Sequence, residues 1–304
     1  MVKAKPFIKW VGGKTQLIEQ IEVNLPVNFG TWRDVTYIEP FVGGGAVLFH
    51  MLQHHHNITR AIINDINPDL INCYNVIKHR PKQLIETLQE IQKEYHKLNS
   101  YDKQKDFFLD KRSKFNKKKN GAIENAALFI FLNRTCFNGL YRVNKAGLFN
   151  VPFGKYNNPT ICDTDTILAD SELLQKVEIL TGDFTQTLIY AEGTTIFYCD
   201  PPYRPLTTTA AFTSYSKEGF DDNAQIRLKN FCDLIQAQGY SFILSNSDGK
   251  GNGSNDCFFD NLYINYQIER VFASRSINSI GSKRGKLSEI LVRNYPETLA
   301  TAHL

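Results

Sequence analysis

Val35-Thr36-Tyr37-Ile38-Glu39-Pro40-Phe41-Val42-Gly43-Gly44-Gly45 is the stretch that decides the fold class. It opens with four residues of high β propensity and then meets a proline, which cannot donate to a sheet ladder. Three glycines follow, and after them an apolar run from Ala46 to about Gln53 has helical spacing. Glycines between a strand and a helix let the backbone pass close to a ligand and present amides at a helix N-terminus. Working outward, Lys14 to Leu25 has helical spacing and stops at Pro26. Arg60 to Asn64 reads as a second buried strand, and Pro68 to Lys78 as a helix. This alternation predicts a parallel sheet with right-handed crossovers. Asp65 lies twenty residues past Gly45, at the end of the second strand. A nucleoside-binding sheet places a carboxylate there for ribose hydroxyls. The glycine spacing is not Gly-x-Gly-x-x-Gly, so no pyrophosphate is specially expected.

From Pro81 to about Thr135 the pattern becomes helical and charged. Phe137 to Phe153 then reads as a hairpin or loop, with Asn138-Gly139 and Ala146-Gly147 as turn signals. After about 175 the strand–helix rhythm resumes. Val177–Leu180, Thr195–Tyr198, Ser241–Leu244, Tyr263–Phe272 and Leu287–Asn294 are strand candidates, and Asp222–Gln238 is a crossover helix. The expected fold class is therefore α/β: a Rossmann-like, mostly parallel sheet. Residues 1–76 and 166–304 would form it, and residues 77–165 would be an inserted, mainly helical domain carrying a hairpin.

Charge sharpens this division. The chain has 304 residues and a net charge of +4, from 35 Lys and Arg against 31 Asp and Glu. Residues 75–160 contain 17 basic and 7 acidic residues, a local charge of +10, whereas the remainder carries −6. A polyanion-binding segment set in a mildly acidic body has this signature. Within it Asn133-Arg134, Asn138, Tyr141-Arg142, Asn144-Lys145 and Lys155-Tyr156 interleave basic, amide and aromatic groups. Arg and Asn have the forked geometry that reads guanine and adenine edges.

Other features exclude function classes. The 42% hydrophobic content rules out a disordered chain, and no apolar run approaches the ~20 residues of a membrane span. A cytoplasmic protein with no membrane partner is expected. Six scattered cysteines form no Cys-x-x-Cys pair and read as reduced, mostly buried thiols. His54-His55-His56 reads as an exposed helix end, because adjacent histidines converge poorly on one ion; no metal is expected. Gly13-Lys14-Thr15 mimics the end of a phosphate-binding loop, but Ile8 stands where that motif needs glycine.

The most specific signal is Asp200-Pro201-Pro202-Tyr203, directly after the apolar run Thr195–Cys199. Prolines fix the backbone and lack amide hydrogens. A carboxylate beside a rigid carbonyl offers two acceptors to one amino group, and Tyr203 offers a flat ring for stacking. The position, past the C-terminal end of a sheet strand, is where open α/β sheets bind ligands.

With these residues in view, the chain resembles the Dam-type DNA adenine methyltransferases, in the order cofactor loop, target-recognition region, catalytic tetrapeptide. The likeness runs nearly end to end. It includes Phe7–Lys14, Glu39–Gly45, Asn64–Asn67, Asn138–Arg142, Phe149–Tyr156, Asp200–Tyr203 and Ser274–Ile277. The resemblance implies S-adenosylmethionine as methyl donor and the exocyclic amino group of adenine in double-stranded DNA as acceptor, commonly within GATC. It implies that Trp10, Lys14, Asp65 and Asp200 contact the cofactor. Phe41 would lie near its adenine, with Gly43 and Gly45 near its methionine part. Lys9, Leu140, Arg142 and Pro152 match positions that touch target bases; Asn138, Lys155 and Tyr156 lie beside them. Asp200, Pro201, Pro202 and Tyr203 would be catalytic. One departure is Phe137, where some relatives have tyrosine. The implied setting is prokaryotic or phage and nucleoid-associated, either beside a separately acting restriction endonuclease or alone in replication or repair marking.

Three other readings remain open at this point. Methyl transfer to cytosine's amino group or to RNA is one, although the cytosine type favours Ser at the Asp200 position. A nuclease is a second, but the chain contains no Glu-x-Lys. A non-catalytic, cofactor-ordered DNA-binding module is the third, and the intact tetrapeptide argues against it.

Overall fold

A computed structural model describes residues 2–204, 220–249, 256–274 and 286–296. Seven strands form one sheet in the order β3-β2-β1-β4-β5-β7-β6. They are β1 (Val35–Glu39), β2 (Ile58–Asp65), β3 (Val177–Thr181), β4 (Thr195–Cys199), β5 (Ser241–Ser247), β6 (Gln267–Ser274) and β7 (Lys286–Arg293). β1 to β5 run parallel, and β7 is antiparallel to both β5 and β6. The expected mostly parallel sheet is thus present. Its strand order reverses direction at β1, which pairs β2 on one side and β4 on the other. The C-terminal ends of β1 and β4 therefore open side by side, at the place where such sheets bind ligands.

Alternation along the strands divides the core. Tyr37, Ala61, Ile63, Ile196, Tyr198 and Ile243 face one apolar cluster. Ile38, Ile62, Phe197, Cys199, Phe242 and Leu244 face the other. The period of two in a pleated strand gives this result directly, and both faces are covered, as parallel sheets require. The second cluster is closed by α8 (Asp222–Ala237) and α9 (Phe258–Leu262). The first contains α2 (Ala46–His54) and α3 (Pro68–His79), and it continues into α4 (Pro81–His96), α5 (Tyr101–Asn116), α6 (Ala122–Thr135) and α7 (Thr164–Leu174). One apolar core thus joins the sheet to the basic helices.

Several boundaries differ from expectation. Lys14–Gln16 is a 3-10 turn, and the helix that follows, α1, spans only Ile18–Val23. Lys14 belongs to the site rather than to a solvated helix. Tyr263 terminates α9, so β6 begins at Gln267. The bulky residues Tyr263 and Phe259 fill the core instead of a strand face. The Phe137–Phe153 segment starts with a 3-10 turn at Phe137–Gly139 and closes with bridges Cys136↔Phe153 and Val143↔Phe149. His55 is not exposed: its ring and that of His50 both meet Glu22 Oε1, at 2.8 and 2.5 Å. Five of the six cysteines are buried, and Cys257 is exposed. No helix among the described residues is long and apolar enough to cross a membrane.

Candidate active site

β1 ends at Glu39, and the chain turns through Pro40–Gly44 into α2. Gly43 and Gly45 adopt left-handed φ values of 48° and 75°. A Cβ on Gly43 or Gly44 would lie 2.9 Å from Trp10, and one on Gly45 would lie 2.5 Å from the Tyr74 hydroxyl. The glycines are therefore needed for packing inside the loop as well as for its turn. Trp10 sits between this loop and the basic segment, stacked at 25° on Tyr141 with centroids 5.9 Å apart. Asp65 anchors the loop: Oδ2 accepts from the Gly43 amide at 3.1 Å and Oδ1 from the Asn67 amide at 2.9 Å. Burial pushes this carboxyl up to about 6 against the opposing backbone amides. Phe41 leans on Phe184 and Phe220, with centroids 5.1 and 5.9 Å away. Asp183, which caps the turn at Phe184, stands at the end of β3 on the same side. Sequence reasoning did not single out Asp183 or Phe184; the signal was the polar residue after a third parallel strand.

Asp200 follows β4 immediately. Its Oδ1 accepts from Lys14 Nζ at 2.8 Å and from Ser245 Oγ at 3.0 Å. Tyr198 supplies a further hydroxyl, 3.1 Å from Ser245 Oγ. Because the single Ser245 hydrogen goes to Asp200, Tyr198 donates to Ser245. Burial raises the Asp200 carboxyl above its usual range, while the Lys14 ammonium and the Ser245 hydroxyl oppose the rise. Among the described residues no donor is hydrogen-bonded to the Pro201 carbonyl. The Pro202 carbonyl accepts weakly from Gln225 Nε2 at 3.4 Å. Tyr203 donates its hydroxyl to Glu289 Oε2 on β7. Lys14 Nζ also lies 4.4 Å from the Tyr203 ring centroid and 3.9 Å from Glu289. Lys14 is thus a buried ammonium between two carboxylates and one aromatic face, and no phosphate loop. Ser245 and Glu289 were missed in the sequence; a serine after the apolar run Phe242–Leu244 and an acid before the apolar run Ile290–Val292 were the available signals.

The donor set suits the sulfonium amino acid implied above. Phe41 offers a ring for a purine. Asp65 keeps lone pairs for ribose hydroxyls, and Lys14 with Asp200 offers one charge of each sign for an α-amino acid. Among the described residues no group of three or more His, Cys, Asp or Glu could hold a metal ion.

The basic segment borders this pocket. Asn133 on α6 clamps Lys9 by its backbone: the Lys9 amide donates to Oδ1 at 2.9 Å and its carbonyl accepts from Nδ2 at 2.8 Å. The same Nδ2 donates to the Gly139 carbonyl at 2.8 Å. Lys9 and the Asn138-Gly139 turn are thereby held together. Asn138 has φ of 54°, and a Cβ on Gly139 would lie 2.6 Å from Lys9 Cβ. The Lys9 ammonium sits 4.3 Å over the Tyr156 ring. Arg142 donates to Asn150 Oδ1 at 2.8 Å, and the Pro152 carbonyl accepts from the Phe137 amide at 2.9 Å. Leu140 packs against the core, and the Lys155 ammonium lies 5.4 Å from the Tyr101 ring. Lys9, Asn138, Arg142, Pro152 and Lys155 are exposed. Of the Ser274–Ile277 motif, residues 275–277 lie outside the described residues.

Comparison with known proteins agrees with this geometry. Residues 10–277 match the model of the D12 class N6 adenine-specific DNA methyltransferases. The chain is 46% identical to type II methyltransferase M.MjaIII of Methanocaldococcus jannaschii, over 97% of this chain and all of that one. It is 38% identical to type II methyltransferase M1.LlaDCHI of Lactococcus lactis, over 97% and 96% of the two chains. It is 31% identical to the DNA adenine methylase of Escherichia coli K12, over 99% of each. A strand-end Asp-Pro-Pro-Tyr beside a glycine loop, together with this likeness along the whole chain, places the protein in the D12 class N6 adenine-specific DNA methyltransferase family.

Proposed function

We propose that this adenine-specific DNA methyltransferase acts on an adenine swung out of duplex DNA within GATC. Asp200 and the Pro201 carbonyl hold the reacting amino group over Tyr203. The observation that carries the reading is the wedge between the Asp200 carboxylate and the Tyr203 ring, already filled by a nitrogen cation at 2.8 and 4.4 Å. Chemistry on a base edge needs the base out of its stack, at a cost of a few kcal/mol. Two acceptors on one amino group draw its nitrogen from planar toward pyramidal and free its lone pair. S-adenosylmethionine supplies a methyl group on a sulfonium sulfur, which leaves as a neutral thioether. The amino nitrogen forms the new N–C bond and becomes acidic only then, so its surplus proton departs after transfer. Burial of Asp200 makes it a better proton acceptor at that stage. Placement and electrostatics do most of the work.

Phe41, Gly43, Gly45 and Asp65 would hold the cofactor, with Trp10 as the wall behind the loop and Lys14 at its amino-acid end. Helices α4–α6 and the 136–156 loop would form the target-recognition unit. There Lys9, Asn138, Leu140, Arg142, Pro152, Lys155 and Tyr156 meet the target bases and their flanks. The relatives named as type II methyltransferases favour the modification half of a restriction–modification pair, whose endonuclease acts separately, in a bacterial or archaeal cytoplasm. DNA from cells expressing the protein tests the target. It should become a substrate for a nuclease that cuts only methylated GATC and resist one blocked by that mark. Methyl groups found at another sequence would discard GATC, and none at all would discard the activity.

A further inference from the structure

Lys14 occupies ground that the reaction needs. Its ammonium is 2.8 Å from Asp200 Oδ1 and 4.4 Å from the Tyr203 centroid. An adenine amino group bonded to Asp200 while its ring stacks on Tyr203 must sit in the same wedge between carboxylate and ring. The two occupants exclude each other. Lys14 is also almost fully enclosed, with 4% of its side chain exposed, and its third polar contact is the Gly12 carbonyl at 3.0 Å. Base entry therefore requires a defined place for a buried charge to go. Glu289 is that place. Its carboxylate stands 3.9 Å from Lys14 Nζ, so a shift of about 1 Å brings the ammonium to charge-assisted hydrogen-bond distance. Glu289 also accepts the Tyr203 hydroxyl, which marks it as lying at the hydroxyl edge of the ring. Movement toward Glu289 thus takes the ammonium toward the carboxylate that the ring's hydroxyl already contacts. It keeps the charge paired throughout, which a buried cation demands.

We propose that Lys14 stands in for the target amino group in the substrate-free enzyme, and that Glu289 is a positioning residue that receives the Lys14 ammonium when the base enters. The inference deepens the base-flipping reading above and rests on it. Lys14 then plugs the pocket, so that entry of the base is an exchange of one nitrogen for another at Asp200. Glu289 does not touch the reacting atoms; it acts through Lys14 and through the Tyr203 hydroxyl.

The test uses the full chain and a GATC duplex with its natural target adenine, read by permanganate oxidation of the thymine opposite it. Oxidation of that thymine reports the fraction of target base that has left the duplex stack. Without cofactor, Lys14→Met should raise that fraction by about two-fold or more, since an excluding occupant is gone. Glu289→Gln retains an acceptor for Tyr203 but weakens the refuge for the ammonium; it should lower the fraction while leaving duplex affinity unchanged. The double variant should recover the level of Lys14→Met alone. Thermal unfolding checks that each variant folds, and should Glu289→Gln fail to, Lys14→Met decides alone. An unchanged fraction in Lys14→Met would overturn the proposal. A double variant as low as Glu289→Gln would overturn it too, because Glu289 would then act through Tyr203 only. A wild-type enzyme that methylates GATC yet gives either result leaves base flipping standing. A wild-type enzyme that never unstacks the base and transfers no methyl group overturns both.

Discussion

At the scale of single residues, Asp65 gives the clearest titration. Burial lifts its carboxyl to about 6, and the amides of Asn67, Gly43 and Ile66 oppose that rise. Hydroxyl donors favour the ionised carboxylate. Cofactor affinity should therefore strengthen as pH climbs through about 6 and weaken below it. Asp65→Asn should flatten this profile and weaken binding near neutral pH by about 1.5–3 kcal/mol, the range for a hydrogen bond to a charged group. Calorimetric titration between pH 5 and 8 measures both effects, and a mutant with the wild-type slope would remove Asp65 from the cofactor site. Asp65 and Asp200 were legible in the sequence because each follows an apolar strand, a signal contained within a few residues. Ser245 and Glu289 were not. Ser245 approaches Asp200 through the parallel pairing of β4 with β5, with Cys199 opposite Leu244, and Glu289 approaches Tyr203 through how β5 pairs with an antiparallel β7, with Ser247 opposite Glu289. No local pattern fixes that register.

At the scale of elements, α6 ties the Lys9 segment to the 136–156 loop. The buried Asn133 amide bonds the Lys9 backbone twice and the Gly139 carbonyl once. Asn133→Ala would leave these groups without their partner and should cost about 2–4 kcal/mol of stability, counting roughly 1 kcal/mol per bond plus desolvated remnants. Discrimination between GATC and single-base variants should fall with it, whereas Arg142→Ala should relax one base pair by about 1–3 kcal/mol with no change in unfolding. Urea unfolding and methylation of variant duplexes separate the two outcomes. If Asn133→Ala left both untouched, the clamp would be incidental. This segment was legible in the sequence through its basic, amide and aromatic interleaving. What it could not reveal was that Asn133 points inward; α6 is apolar nearly all round, so periodicity assigned no face to it.

At the scale of the whole molecule, the basic helices and the sheet share one apolar core. The excess charge of residues 75–160 was countable from the sequence, but this shared core needed the packing of α6 on α3 and α4 to become visible. If the insertion carries the phosphate contacts, duplex affinity should fall about a hundred-fold or more between 0.05 and 0.2 M salt. A shallow dependence would move the DNA platform elsewhere. Asp170 on α7 sets a pH dependence of stability. It is fully buried, accepts the Lys5 amide at 3.1 Å, and is raised by burial to about 8. A carboxyl held above its unfolded value stabilises the fold most at acid pH. That contribution drains away from about pH 4 upward and is gone above about 8, at no more than ~1.4 kcal/mol per pH unit. Asp170→Asn should remove this slope, so its stability relative to wild type should improve steadily from pH 5 to 8. A constant difference would mean that Asp170 does not titrate in this range.

The measurement that reaches the centre of the account is tritiated methyl transfer from S-adenosylmethionine to a duplex with one GATC site, run with wild type and Asp200→Ala beside a duplex-binding assay. Wild type should label the adenine. Asp200→Ala should bind the duplex with affinity within about ten-fold of wild type and lose methyl transfer by about a thousand-fold or more, the scale of an electrostatic group aimed at the reacting atom. Near-normal turnover in Asp200→Ala would contradict the account.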